Sequence, residues 1–180
     1  MIGTLLLGLS TAGFATCALL HLSTFTPLPP PADWPVFALA AGAWAPLIGM
    51  LVRLRRTGAP MTAWGRVHTY DWRQLAAPVP DGIRWLGFGM VAYVLMNLGL
   101  SLMLVGGTSA SAENDRYFLA SGSGPRREVA QEEYEAYRRV SVRLGSGHLL
   151  LFYLVPLIYF RFVDPGRAML GRGAPPADGE

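Results

Sequence analysis

Four stretches of this chain are apolar over unusual lengths: Ile2 to Leu22, Pro35 to Val52, Ile83 to Gly107 and Val142 to Val163. About 20 consecutive apolar residues carry a helix across the hydrocarbon core of a bilayer. The pattern predicts an all-α membrane protein with four transmembrane helices, about 2–22, 35–52, 83–107 and 142–163. Charge usage agrees. Only 15% of the 180 residues are charged, against about a quarter in soluble domains. That is too little charge to cover a surface facing water.

The first run lacks a basic residue before its apolar stretch and a small-x-small site after it, so it reads as a retained helix rather than a secretory signal. It ends at "TPLPPPADWP", residues 26 to 35, whose prolines stop a helix and make a stiff connection. Trp34 suits the water–lipid boundary. Pro46 and Pro156 fall inside the second and fourth runs, where a kink is expected and a neighbouring helix or water must serve the freed carbonyl. Arg143, at the start of the fourth run, is expected to snorkel toward the headgroups.

The basic residues fix an orientation. All 15 are arginine. Arg53, Arg55, Arg56, Arg66, Arg73 and Arg84 follow the second run, opposed only by Asp71 and Asp81, while the first connection has no arginine. Positive loops stay in the cytoplasm. Residues 53 to 83 are therefore expected inside, both termini cytoplasmic, and residues 108 to 141 outside. Residues 164 to 180 read as a flexible cytoplasmic tail. Because the arginines flank apolar runs, they indicate topology and no nucleic-acid partner. The inner loop mixes them with Trp64, Tyr70, Trp72 and Trp85, as a segment lying along the headgroups would.

Small residues recur at four-spacing in the first two runs: Gly8, Ala12 and Thr16; Gly13 and Cys17; Ala38 and Gly42; Ala41, Ala45 and Gly49. Such rows let backbones approach closely, and they predict that helices 1 and 2 pack as antiparallel neighbours. Asn97, well inside the third run, is expected to find a partner on another helix. Cys17, the one cysteine, reads as structural.

The outer segment looks like a small extracytoplasmic cap between helices 3 and 4. "RYFL", the turn "SGSGP" and "RREV" suit a hairpin. "AQEEYEAYRRVSVRL" then reads as an amphipathic helix with Ala130, Tyr134, Tyr137, Ser141 and Leu144 on one face. Its acids come early and its arginines late, complementing the helix dipole, and Glu135 can pair with Arg139. Gly145 and Gly147 are expected to end or bend it where the fourth run begins.

"REVAQEEYEAY", then Arg143, then "SGHLLLFYLVP", resembles the C-terminal half of small four-helix bacterial inner-membrane proteins of uncharacterised function. In those, an E-E-Y helix precedes S-G-H and an aromatic pair at the start of the last membrane helix. Ser146, Gly147, His148, Phe152 and Tyr153 match; Gly145 departs from the pattern. The resemblance covers residues 117 to 160 and implies a bacterial inner (plasma) membrane, with no catalytic role to carry over.

His21 and His148 both fall at the outer ends of their helices in this orientation. Two imidazoles facing each other could ligate a b-type haem or form half of a metal site; interfacial histidines bonded to water, Ser146 or the cap are the plainer reading. There is no phosphate-cradling Gly loop, no H-E-x-x-H and no G-x-S-x-G, so neither catalytic residues nor a dedicated metal site is nominated. The expected role is a non-enzymatic accessory or interaction protein, self-associating or meeting a protein partner through its cap. The alternatives are a haem- or metal-binding redox subunit using His21 and His148, or a small oligomeric transporter or pore. The latter is disfavoured because no Asp, Glu or Arg sits at mid-depth.

Overall fold

The computed structural model describes residues 2–56, 61–64, 67–70, 73, 76–122 and 124–164. Arg66, Trp72 and the tail 165–180, which figured in the expected cytoplasmic face, lie outside the described residues. Four long helices dominate: α1 (Ile2–Ser23), α2 (Trp34–Arg56), α3 (Asp81–Val105) and α4 (Gln131–Ile158), the last continued by a π-helical turn, Tyr159–Val163. All four are long and apolar enough to cross a membrane. Two short strands, β1 (Met61–Trp64) and β2 (Val67–Tyr70), pair between α2 and α3. Three more, β3 (Thr108–Glu113), β4 (Arg116–Ser121) and β5 (Arg127–Val129), form an antiparallel sheet between α3 and α4.

α4 is the axis of the bundle. Half of its apolar window is buried, against 22% for α1 and 17% for α2 and α3. It packs on all three other helices, α1 also packs on α2, and α3 leans chiefly on α4. Two apolar clusters result. Cys17, Ala43, Leu149, Leu150 and Tyr153 join α1, α2 and α4 at mid-height. Leu6, Met50, Leu54, Tyr159 and Phe160 fill the end nearer the N-terminus. The outward faces carry large exposed apolar side chains, such as Leu5, Phe37, Trp85 and Met103, the last 84% exposed. A water-facing monomer rarely shows so much apolar surface.

The buried glycines set the helix spacing. A Cβ on Gly13 would overlap the Tyr153 ring, and one on Gly42 would lie 2.9 Å from the Tyr153 hydroxyl. Tyr153 thus occupies the room that small residues leave, and its hydroxyl donates to the Leu39 carbonyl at 2.7 Å. The Gly13–Cys17 row therefore faces α4 more than α2. The expected Gly8–Ala12–Thr16 row is exposed, because its members lie roughly 60° to 140° of helical turn from Gly13.

Two sequence expectations need correction. The fold is mostly helical, as expected, and the hairpin expected around "SGSGP" is present as β4 and β5, but β3 adds a third strand. Its turn, Asn114–Asp115, has φ of +51° and +60°, the left-handed pair that a tight two-residue hairpin needs. Secondly, no break falls at Gly145 or Gly147. The amphipathic helix and the fourth apolar run are one helix of 28 residues beginning at Gln131. Both glycines serve close packing instead: a Cβ on Gly145 would come within 2.7 Å of Val36, and one on Gly147 would run into Asn97 and approach His21 at 3.3 Å. Beyond Pro156 the helix widens into its π turn, closed by the Asp164 N–H donating to the Tyr159 carbonyl at 2.9 Å.

Candidate functional site

Polar side chains gather at the end of the bundle that carries the sheet. His21 is 4% exposed in the last turn of α1, and Asn97, Ser101 and Ser146 are also buried. His21 Nδ1 lies 3.0 Å from Ser146 Oγ on α4, and Nε2 lies 2.5 Å from the Tyr93 hydroxyl on α3. The Ser146 hydroxyl donates to the Val142 carbonyl at 2.7 Å. The remaining roles follow: the His21 Nδ1–H donates to Ser146, and the Tyr93 O–H donates to Nε2. The ring also meets Phe25 and Tyr93 edge-on, each at 5.6 Å. Asn97 Nδ2 donates to the Arg143 carbonyl at 3.3 Å. One imidazole thus ties three helices together, and an amide closes the same junction.

Arg143 completes it without snorkelling outward. Its Nε donates to Thr24 Oγ1 at 3.1 Å and its Nη2 to the Thr24 carbonyl at 2.9 Å, with the guanidinium 4.0 Å above the Phe25 ring. The last carbonyls of α1 lack partners within their own helix, and a cation there also complements the helix dipole. Two more arginines of α4 hold the proline-rich connection. Arg138 donates to the Pro31 carbonyl and to Asp33, each at 2.9 Å. Arg139 reaches the Leu28 carbonyl at 3.3 Å and pairs with Glu135 at 3.8 Å. Proline carbonyls accept hydrogen bonds although proline has no N–H to give, so α4 fastens this connection by donating to its carbonyls.

The opposite end has a second charged layer. Arg53 Nη1 donates to both carboxylate oxygens of Asp164 at 3.0 Å. Asp164 is 5% exposed, and the first turn of α1 closes over it: a Cβ on Gly3 would stand 2.9 Å from Oδ2. α1 therefore runs from one layer to the other.

Above the first layer, α4 carries the sheet. Tyr134 stacks near Tyr117 at 4.9 Å, and the Tyr137 hydroxyl donates to the Thr108 carbonyl. Arg127 and Glu133 form an ion pair at the rim of a cleft of about 440 Å³ between sheet and helix, whose floor includes Leu104, Leu119 and Val140.

The structure brings together His21, Asn97, Arg143 and Ser146, and puts Tyr134 and Tyr137 against the sheet. It does not bring His148 to His21. The His148 Nδ1 lies 2.7 Å from its own helix's Leu144 carbonyl. Two residues beyond Ser146 is roughly 200° around a helix, so a helix that shows Ser146 to His21 turns His148 away. Among the described residues no three His, Cys, Asp or Glu side chains are grouped to hold a metal ion. Sequence reasoning missed Tyr93 and Thr24. Tyr93, Asn97 and Ser101 recur at four-spacing, a polar row on one face of α3 that the sequence does display. Comparison with protein families, with curated proteins and with solved structures finds no match for this chain.

Proposed function

We propose that this chain is a multi-pass protein of a bacterial inner membrane, both termini cytoplasmic, acting as a non-enzymatic accessory whose outer sheet-and-helix platform meets a protein partner. One observation carries the membrane part. From Gly3, beside Asp164, to Thr24, beside Arg143, α1 climbs about 32 Å. The hydrocarbon core is about 30 Å thick. At mid-depth between these charged layers the four helices hold no Asp, Glu or Arg, Arg84 and the exposed Arg161 lying toward the Asp164 end, and their outward faces are apolar.

The platform follows from the same measure. A core of that thickness takes up about 20 residues, from Val163 back to about Arg143. The turns of α4 before Arg143 then stand outside the lipid, with β3 and β4 packed on them and β5 paired to β4. Arg53, Arg55, Arg56 and Arg84 lie at the end opposite the sheet, with Asp81 and Asp164 as the acids among its described residues, an arrangement that retention of positive charge in the cytoplasm favours.

The haem reading draws less support. It requires His21 to leave Ser146 and Tyr93, and His148 to come round from another face of α4. The transport reading lacks the intramembrane charge that marks ion pathways.

A photo-crosslinking residue in place of exposed Glu132 tests the accessory role. It is expected to capture one protein partner reproducibly from intact membranes, and deletion of residues 113 to 140 to abolish that association in mild detergent. If the deletion leaves every association intact, the reading fails.

A further inference from the structure

α2 and α3 each pack on α4 rather than on one another. The segment 76–80 crosses the gap between them, and Val79 is buried in it. Two adjoining hollows open there, of about 180 and 360 Å³, sharing Ala76, Val79, Val155 and Ile158. The first extends to Met50 and Leu54. The second runs up α3 past Gly87 and Val91 to Leu151. Together they form an apolar groove in the half of the bundle nearer the Arg53–Asp164 layer, open toward the side. Among the described residues, the one charged residue that lines it is Arg84.

We propose that this groove holds one acyl chain of an anionic phospholipid, its phosphate at Arg84. The proposal rests on the membrane reading given above. Apart from Arg84 and the Tyr159 hydroxyl the walls are apolar and offer little to a hydrogen-bonding ligand, and lipid is the apolar molecule present in bulk at that depth. Charge selects the headgroup. Arg55, Arg56 and Arg84 are exposed at this end, and among the described residues Asp81, itself bonded to Arg84, is the exposed acid beside them. A phosphate can share a guanidinium that already contacts a carboxylate, since guanidinium offers five N–H donors. Gly87 deepens the wall although packing does not require a glycine: its Cβ would meet only Ile158, at 4.0 Å.

The test uses the full chain, reconstituted with equal phosphatidylglycerol and phosphatidylcholine, re-extracted in mild detergent and weighed by native mass spectrometry. One retained phospholipid is expected, phosphatidylglycerol roughly fivefold over phosphatidylcholine, the ratio that one arginine near an anionic surface supplies. Arg84→Gln should keep a lipid and lose the preference. Gly87→Phe and, independently, Val91→Phe should fill the groove and lose the lipid, with helix content unchanged by circular dichroism. No retained lipid in the wild type, equal retention of the two lipids, or wild-type retention in the filled variants overturns the proposal. Release of the chain from membranes by alkaline carbonate overturns instead the membrane reading on which it rests.

Discussion

His21 Nδ1 and Ser146 Oγ, 125 residues apart in the chain, lie 3.0 Å from each other at the junction of the first and last helices. Both side chains are buried, and each has a second partner: Tyr93 for the ring, the Val142 carbonyl for the hydroxyl. A polar contact between membrane helices contributes about 0.6 kcal/mol on average and up to about 1.7. A double-mutant cycle with His21→Phe and Ser146→Ala should therefore give a coupling on the order of 1 kcal/mol, read from thermal unfolding in detergent. Strict additivity of the two single effects would show that the pair does not interact in the folded protein.

Arg143 fastens the connection that follows α1, and its geometry separates arginine from lysine. It makes two donations to Thr24 and stacks on Phe25. Lysine keeps the charge but has no planar fork to bond and stack at once. Arg143→Lys should cost about 1.5–3 kcal/mol, the range of a charge-assisted hydrogen bond, and should speed proteolysis within residues 24–34. If Arg143→Lys matches the wild type in both readouts while Arg143→Ala does not, charge alone holds the connection.

The four long helices were legible because a run that fills the hydrocarbon core leaves little alternative, and the polar row of Asn97 and Ser101 was on display. What failed was helical phase. His21 and His148 share a depth, and depth suggested a pair, but Ser146 holds the face of α4 that His21 meets. Gly145 and Gly147 read as a stop signal from local propensity. Their neighbours Val36, Asn97 and His21 are distant in sequence, and only with them in place is the glycines' function close packing. β3, "TSASAE", has mostly small side chains and only a weak Ser/Ala alternation, so its strand character comes from pairing with β4. The arginines of α4 were read as dipole partners of their own helix, whereas they also bind carbonyls of the 24–33 connection.

Two glycines of α1 should respond oppositely to the same substitution. A Cβ on Gly13 would overlap Tyr153, whereas Gly8 has nothing within 4 Å of its Cβ position. Gly13→Ala must push Tyr153 off its Leu39 bond or part the helices, and overpacking of that kind costs about 1–3 kcal/mol. Gly8→Ala should be neutral or stabilising by up to about 1 kcal/mol, since alanine is the better helix former. Adding Tyr153→Ala to Gly13→Ala should make the glycine substitution nearly free. If Gly13→Ala alone melts with the wild type, the close approach of α1 and α4 is wrong.

Topology has a direct test because the native cysteine stays out of the way. Cys17 is wholly buried between α1 and α4, so an impermeant maleimide should leave the folded wild type unlabelled, and Cys17→Ser removes what background remains. In that background, Arg56→Cys and Glu132→Cys place single exposed thiols at opposite ends of the bundle. On intact inner-membrane vesicles turned right side out, Glu132→Cys should label at once and Arg56→Cys only after the membrane is breached. The reverse result would keep the bundle and invert it, putting the sheet inside. Equal access for both thiols would mean that the distance between the charged layers is not spanned by lipid. The platform would then have lost its outer face and the groove its acyl chain.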